Sequence, residues 1–264
     1  MAQYVQRNYG SASCNWYWNG GTFRPTLDGA LFKPNNSAWN SNVVSTNGAA
    51  FDIPGANTFT LNQAFTHDAA LGATRDGGIR KRGTGTLLLS AANTFTGPCV
   101  AEAGVLRPTI AMAVSGGVGA SGSGVFDMNG FGLTVPELVG EGGLVTNGAL
   151  TVTGRVYTES FVQVDDVVLS GATFASNGEN YIKVLSSAEG SIIVDFGRDE
   201  SDPLPRYYAV KVAEMPSGSH LYVTGVNTGR PGRWEITGER RNEADGMVEI
   251  WAVLKPVGTA IILR

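Results

Sequence analysis

The sequence predicts an all-β protein, wound as a parallel β-helix and closed at its C-terminal end by a β-rich cap. Three observations carry that prediction. Glycine occurs 36 times in 264 residues, while charged residues make up only 16%; average usage would give roughly half that glycine. Short alternations of apolar and polar residues, bounded by Gly or Asn-Gly, recur along the chain with no long 3.6-residue periodicity. Two motifs also return in the same order, which is the signature of a repeat architecture.

The first motif is "GTFRPT" at 21–26, which returns as "GVLRPT" at 104–109. The second is "AAFDIPGANTFTL" at 49–61, which returns as "GVFDMNGFGLTV" at 124–135. In the later copy Asn129-Gly130 supplies a turn that tolerates positive φ, and Leu133 and Val135 then share one face with Thr134 on the other. Phe51 and Ile53, the Pro54-Gly55 turn, then Phe59 and Leu61 follow the same logic. "TGTLLLS" (84–90) and "GALTVTG" (148–154) add short strands between glycines. A sandwich would need longer alternating strands joined in Greek keys. Short strands, small corner residues and repetition suit coils stacked on one another instead.

The chain divides at about residue 160. Residues 1–160 carry the repeats, while 161–264 hold longer strands and denser charge, as in "YIKVLSS", "YYAVKVA" and "VEIWAVL". This second part is expected to continue the solenoid or to form the cap, since a final coil would otherwise expose apolar core and unpaired strand. "RNEADGMVEIWAVLKPVG" predicts a hairpin with Asp245-Gly246 near its turn. The first twenty residues show no polar cap, so that end is expected either to have been cut from a longer solenoid or to stack on a partner.

Charge and cysteine usage exclude several classes. The net charge is −4 and basic residues are scattered, so no nucleic-acid partner is expected. The one basic run, Arg80-Lys81-Arg82, is expected to be a solvated strand edge that blocks edge-to-edge pairing. Cys14 and Cys99 are too few for a metal site or a disulfide framework, which leaves a single bridge or two buried thiols as alternatives. The start lacks a basic segment followed by an apolar one, and no run of 18 apolar residues predicts a transmembrane helix.

Residues 77–108, "GGIRKRGTGTLLLSAANTFTGPCVAEAGVLRP", resemble the bacterial autotransporter-associated β-strand repeat. The matching positions are Gly78, Ile79, Lys81, Gly83, Gly85, Thr86, Leu87, Leu89 and Ser90. They continue through Asn93, Thr94, Phe95, Thr96 and Gly97 to Gly104 and Leu106. Ala91 stands where the family often has Gly, and Cys99 where it usually has Thr. The likeness extends over about 45–155. It implies a right-handed, single-stranded β-helix in the passenger of a large secreted or surface-anchored bacterial protein, with the repeat serving as scaffold and supplying no catalytic residue.

No catalytic set emerges from the residues themselves. His67 and His220 lie in dissimilar segments, and neither metal-ligand spacing nor a nucleophile elbow is present. Paired carboxylates would serve a glycosidase, but Asp165 and Asp166 are adjacent and so are expected on opposite faces of a strand. Asp52 and Asp127 occupy equivalent repeat positions and are expected to brace turns. Asp199, Glu200 and Asp202 lack the spacing of a calcium loop and read as a solvated loop. No metal and no cofactor is expected. Asn42, Asn93 and Asn147, with Asn35, Asn36 and Asn40, are candidates for corner ladders.

Aromatics cluster near the start: Tyr4, Tyr9, Trp16, Tyr17, Trp18, Phe23, Phe32 and Trp39. Trp16 and Trp18 share a strand face, where they either plug the core or stack on a protein or sugar. Trp16, Tyr17, Trp18 and Trp39 are therefore the candidate interface or ligand residues. The expected function is non-enzymatic: an extracellular or cell-surface scaffold or adhesin-like solenoid, self-associating end to end or part of a larger surface protein. The alternative is a β-helix that binds glycans or cleaves polysaccharides.

Overall fold

Alternation of buried and outward side chains governs nearly every segment, and it fixes which face of each strand meets the core. The structure is a computed structural model that describes residues 3–5, 14–32, 40–112, 116–175, 180–195, 208–226, 234–242 and 246–256. The described chain is all-β. Its strands are β1 (Gln3–Val5), β2 (Cys14–Trp18), β3 (Thr22–Phe23), β4 (Gly29–Phe32), β5 (Asn40–Val44), β6 (Ala49–Asp52) and β7 (Thr58–Leu61). They continue with β8 (Phe65–His67), β9 (Ile79–Arg82), β10 (Thr86–Leu89), β11 (Cys99–Pro108), β12 (Val118–Asp127), β13 (Leu133–Glu141) and β14 (Leu144–Thr158). The last are β15 (Phe161–Ala175), β16 (Tyr181–Asp195), β17 (Tyr208–Pro216), β18 (His220–Val226), β19 (Trp234–Asn242) and β20 (Met247–Pro256). A 3-10 turn at Ala69–Leu71 separates β8 from β9, and no α-helix occurs among the described residues.

From β1 to β16 every strand pairing is parallel, and from β9 onward each strand pairs with a preceding and a following one. Phe23 faces Phe51, and Phe51 faces Lys81, at offsets of 28 and 30 residues. Lys81 then faces Ala101, Ala101 faces Ala120 and Ala120 faces Gly140, at offsets of 19 or 20. Inward positions thereby line up strand after strand. One apolar ladder runs Ala49, Ile79, Cys99, Val118, Leu138, Val156, Phe174, Val194. A second runs Phe59, Leu87, Leu106, Phe126, Val145, Val164, Val184. All these residues are buried. Burying each large member contributes about 1.5–3 kcal/mol.

The repeated motifs are neighbours on these ladders. Phe23 faces Phe51 within the first copy, and Leu106 faces Phe126 within the second. Arg24 bonds Asp52 at 3.4 Å, and Arg107 bonds Asp127 at 2.6 Å. Each copy thus encodes a pair of adjacent strands tied by an Arg–Asp contact. The two copies nevertheless sit on different ladders, since Phe51 goes on to Lys81 and Phe126 to Val145.

Two expectations need correcting here. The basic run 80–82 is not an edge: β9 is hydrogen-bonded in parallel to β6 on one side and β11 on the other. Arg80 and Arg82 do face water, but Lys81 is fully buried. Strands of four to six residues give way to long ones after β10, and β14, β15 and β16 have 15 residues each. Register shifts inside them, as at Val164/Asp166, mark bends where a continuous strand changes direction.

Direction reverses near the C-terminus. β18 still pairs in parallel with β16, but β20 runs antiparallel to both β17 and β19. Asn242 faces Val248 and Trp234 faces Pro256, which is the hairpin read from the sequence. Gly246, at φ 82°, lies at its turn.

Candidate functional site

The N-terminal aromatics divide between core and surface. Trp18 is buried, with its ring 5.1 Å from Phe51, 5.6 Å from Phe65 and 6.4 Å from Phe23. Its indole N–H donates to Asn42 Oδ1 at 3.3 Å. Trp16 is partly buried against the same core. Tyr17, between them, points outward and is 65% exposed. Trp39, Tyr9 and the Asp199–Glu200–Asp202 loop lie outside the described residues.

The carboxylates hold backbone and cations. Asp127 accepts from the Asn129 N–H at 2.8 Å, from Asn147 Nδ2 at 2.9 Å and from Arg107. Burial alone would raise its pKa, but these bonds hold it below the usual carboxylate range. Asp165 and Asp166 both lie between the inward residues Val164 and Val167, at the bend in β15, so neither faces the core. Their expected placement on opposite faces fails because the bend interrupts the alternation. Asp165 accepts from Thr146 Oγ1 and from the Asn147 N–H.

A hydroxyl, an imidazole and a carboxylate do meet, at Thr96, His67 and Asp76. Asp76 Oδ2 lies 2.8 Å from His67 Nδ1, and Thr96 Oγ1 lies 3.0 Å from the same nitrogen. A nucleophile relay needs hydroxyl and carboxylate on opposite ring nitrogens. Here His67 Nε2 instead faces the Gly72 carbonyl at 3.2 Å. Asp76 also accepts from the N–H groups of Thr96, Gly97 and Gly78 at 2.7, 2.8 and 3.0 Å. The assembly is a clasp that fixes the segment between β8 and β9 against the one that leads into β11. The bond to Asp76 raises the His67 pKa above its ordinary value.

Lys81, which the sequence reading placed in solvent, is a second clasp. Its Nζ donates to the carbonyls of Arg82 and Gly83 at 2.8 Å and of Ala103 at 3.0 Å. Three acceptors match the three donors of an ammonium. Gly104, at φ 62°, brings the chain close enough for this, and a Cβ there would meet the Gly85 carbonyl oxygen at 2.3 Å. Cys99 is a free, buried thiol on the first ladder, which removes the alternative of a bridge to Cys14. Burial pushes its pKa up to about 12, so it is inert as a nucleophile.

Across the outer face of β9, β11, β12, β13 and β14 lies a concavity of about 460 Å³. Its floor is one in-register row: Arg80, Val100, Gly119, Val139 and Tyr157. Five strands at about 4.8 Å spacing make that row roughly 19 Å long. Gly119 is buried in this row, and a Cβ there would meet the Val139 carbonyl oxygen at 2.0 Å and its Cγ2 at 2.5 Å. Glu102, Ser121, Glu141 and Glu159 line the concavity alongside. Glu102 is held by Arg80 at 2.9 Å and Arg82 at 2.7 Å. Burial would raise its pKa, but the two arginines keep it below the usual range. Glu141 is exposed and makes no ion pair or hydrogen bond among the described residues. Tyr157 is 45% exposed, with the Arg155 guanidinium 5.4 Å from its ring centre. Arg155 is fixed in turn by Glu137 at 3.0 Å, which Arg75 also bonds at 3.0 Å. The sequence carries one trace of this site, the outward alternation of Arg155, Tyr157 and Glu159 in "RVYTE". Nothing in it shows which other strands lie beside them.

The chain is similar to a Brucella suis biovar 1 (strain 1330) protein named Adhesin BmaC autotransporter, at 28% identity over 215 residues. The match covers 71% of this chain and 6% of that protein, so the chain spans a small fraction of its relative's length. No family model matches the chain, and no solved structure matches it.

Proposed function

We propose that the chain is a passenger-type segment of a bacterial surface adhesin: a right-handed, single-stranded parallel β-helix, capped by β17, β19 and β20, that presents its outer face to a partner outside the cell. The similarity to the Brucella adhesin carries this reading. The regular parallel offsets support it, because a chain that keeps pairing with its own continuation adds one coil per offset. A non-catalytic role fits the side chains: the hydroxyl–imidazole–carboxylate cluster is wired as a clasp, and the buried lysine and thiol have no open approach. End-to-end association belongs to the same reading, since β2 and β3 each pair on one side alone among the described residues.

The test is display of residues 1–264 on a non-adherent bacterium. Host-cell attachment should rise severalfold over a strain displaying an unrelated β-domain. Antibody-verified display with no gain in attachment would remove the adhesin reading. Sedimentation at rising concentration tests association, and a monomer throughout would remove that part.

A further inference from the structure

We infer that the concavity floored by Arg80, Val100, Val139 and Tyr157 is a binding site for an uncharged oligosaccharide. It would be the adhesive surface of the protein, and so it builds on the adhesin reading above.

The shape and the chemistry point to the same ligand class. Beyond Arg80 at one end the floor is apolar, with Val100 buried and Val139 half-buried beside the Tyr157 ring. A pyranose has an apolar C–H face that suits such a surface, and tyrosine offers area without much loss of side-chain entropy. The ring is held in place by Arg155, itself anchored on Glu137. Hydroxyl groups then need acceptors, and Glu141 stands exposed beside the row. Hydrogen bonds from neutral donors to carboxylates are charge-assisted and stronger than neutral pairs.

Charge and backbone discriminate against other ligands. One arginine, Arg80, and three carboxylates, Glu102, Glu141 and Glu159, line the concavity, so its lining is net negative. A sulfated or carboxylated glycan would be repelled. An extended peptide would add to a free sheet edge, but β11 and β13 are each hydrogen-bonded on both sides. Only side chains face the ligand. A basic peptide would rely on exposed ion pairs, which contribute little.

The experiment is calorimetric and NMR titration of the full chain with cellohexaose, chitohexaose and maltohexaose, with a heparin hexasaccharide and a Lys/Arg-rich peptide in parallel. At least one neutral hexasaccharide should bind and the heparin fragment should not. Tyr157→Ala should weaken binding at least about tenfold, Tyr157→Phe should retain it, and Glu141→Gln should weaken it about threefold to tenfold. Tyr222→Ala, at an exposed tyrosine elsewhere, should change nothing. Circular dichroism and melting of each variant confirm folding. Three results would overturn the inference: no neutral hexasaccharide binding at 10 mM-scale ligand, on the order of the weakest useful affinities; binding that survives Tyr157→Ala; or binding of the peptide alone. Attachment of displaying bacteria that Tyr157→Ala leaves intact would sink this site while sparing the adhesin reading. Oligosaccharide binding without attachment would do the reverse.

Discussion

At the scale of single residues, the conspicuous polar groups of the thirty-residue motif stitch strands together. Asn93 Oδ1 accepts the Phe65 N–H at 2.9 Å, Thr96 and Gly97 donate to Asp76, and Lys81 gathers three carbonyls. Lys81→Met should therefore destabilise the fold by about 2–4 kcal/mol, because it leaves carbonyls buried without donors; urea denaturation measures this. His67 predicts a pH effect whose sign follows from its raised pKa. Its contribution is complete below the unfolded value of about 6.5 and is lost as pH rises through the higher folded value. The melting-temperature advantage of the native chain over His67→Gln should shrink as pH rises above about 6.5. The burial of Lys81 was illegible in the sequence, where three adjacent basic residues look like a solvated run. Its acceptors come partly from Ala103, on another strand.

At the scale of elements, the repeated Arg and Asp predict unequal effects from the same motif. Arg24 is 65% exposed, so Arg24→Ala should cost less than about 1 kcal/mol. Asp127 is buried and serves three donors, so Asp127→Ala should cost about 1.5–3 kcal/mol. Paired urea titrations compare them. The all-β class, the short strands of each repeat and the C-terminal hairpin were legible, because alternation and turn residues are local signals. The bend at Asp165-Asp166 was not, since a register shift is decided by the strand alongside. The concavity was not legible either: five strands contribute to it, from Arg80 to Glu159, and no contiguous stretch encodes their adjacency.

At the scale of the whole molecule, β17 lies beside the start of β16, β18 beside its second half, and β20 pairs with β17 beyond them. Ile182, Val184, Ile192 and Val194 of β16 are 0 or 1% exposed with these strands in place. Truncation after Asp195 should uncover this face. Increased binding of a hydrophobic dye, together with concentration-dependent aggregation, is the expected outcome, and a truncated chain that stays soluble and dye-silent would contradict the capping role.

The ladder Ile79–Cys99–Val118–Leu138 has a consequence for how the chain reaches this state. Each member meets its partner about twenty residues along, so loop closure is short for a parallel sheet and little sequence need exist before a new strand can dock. Assembly can then advance outward from any nucleus, one addition at a time, with β20 among the last to settle because it must wait for β17 and β19 on either flank.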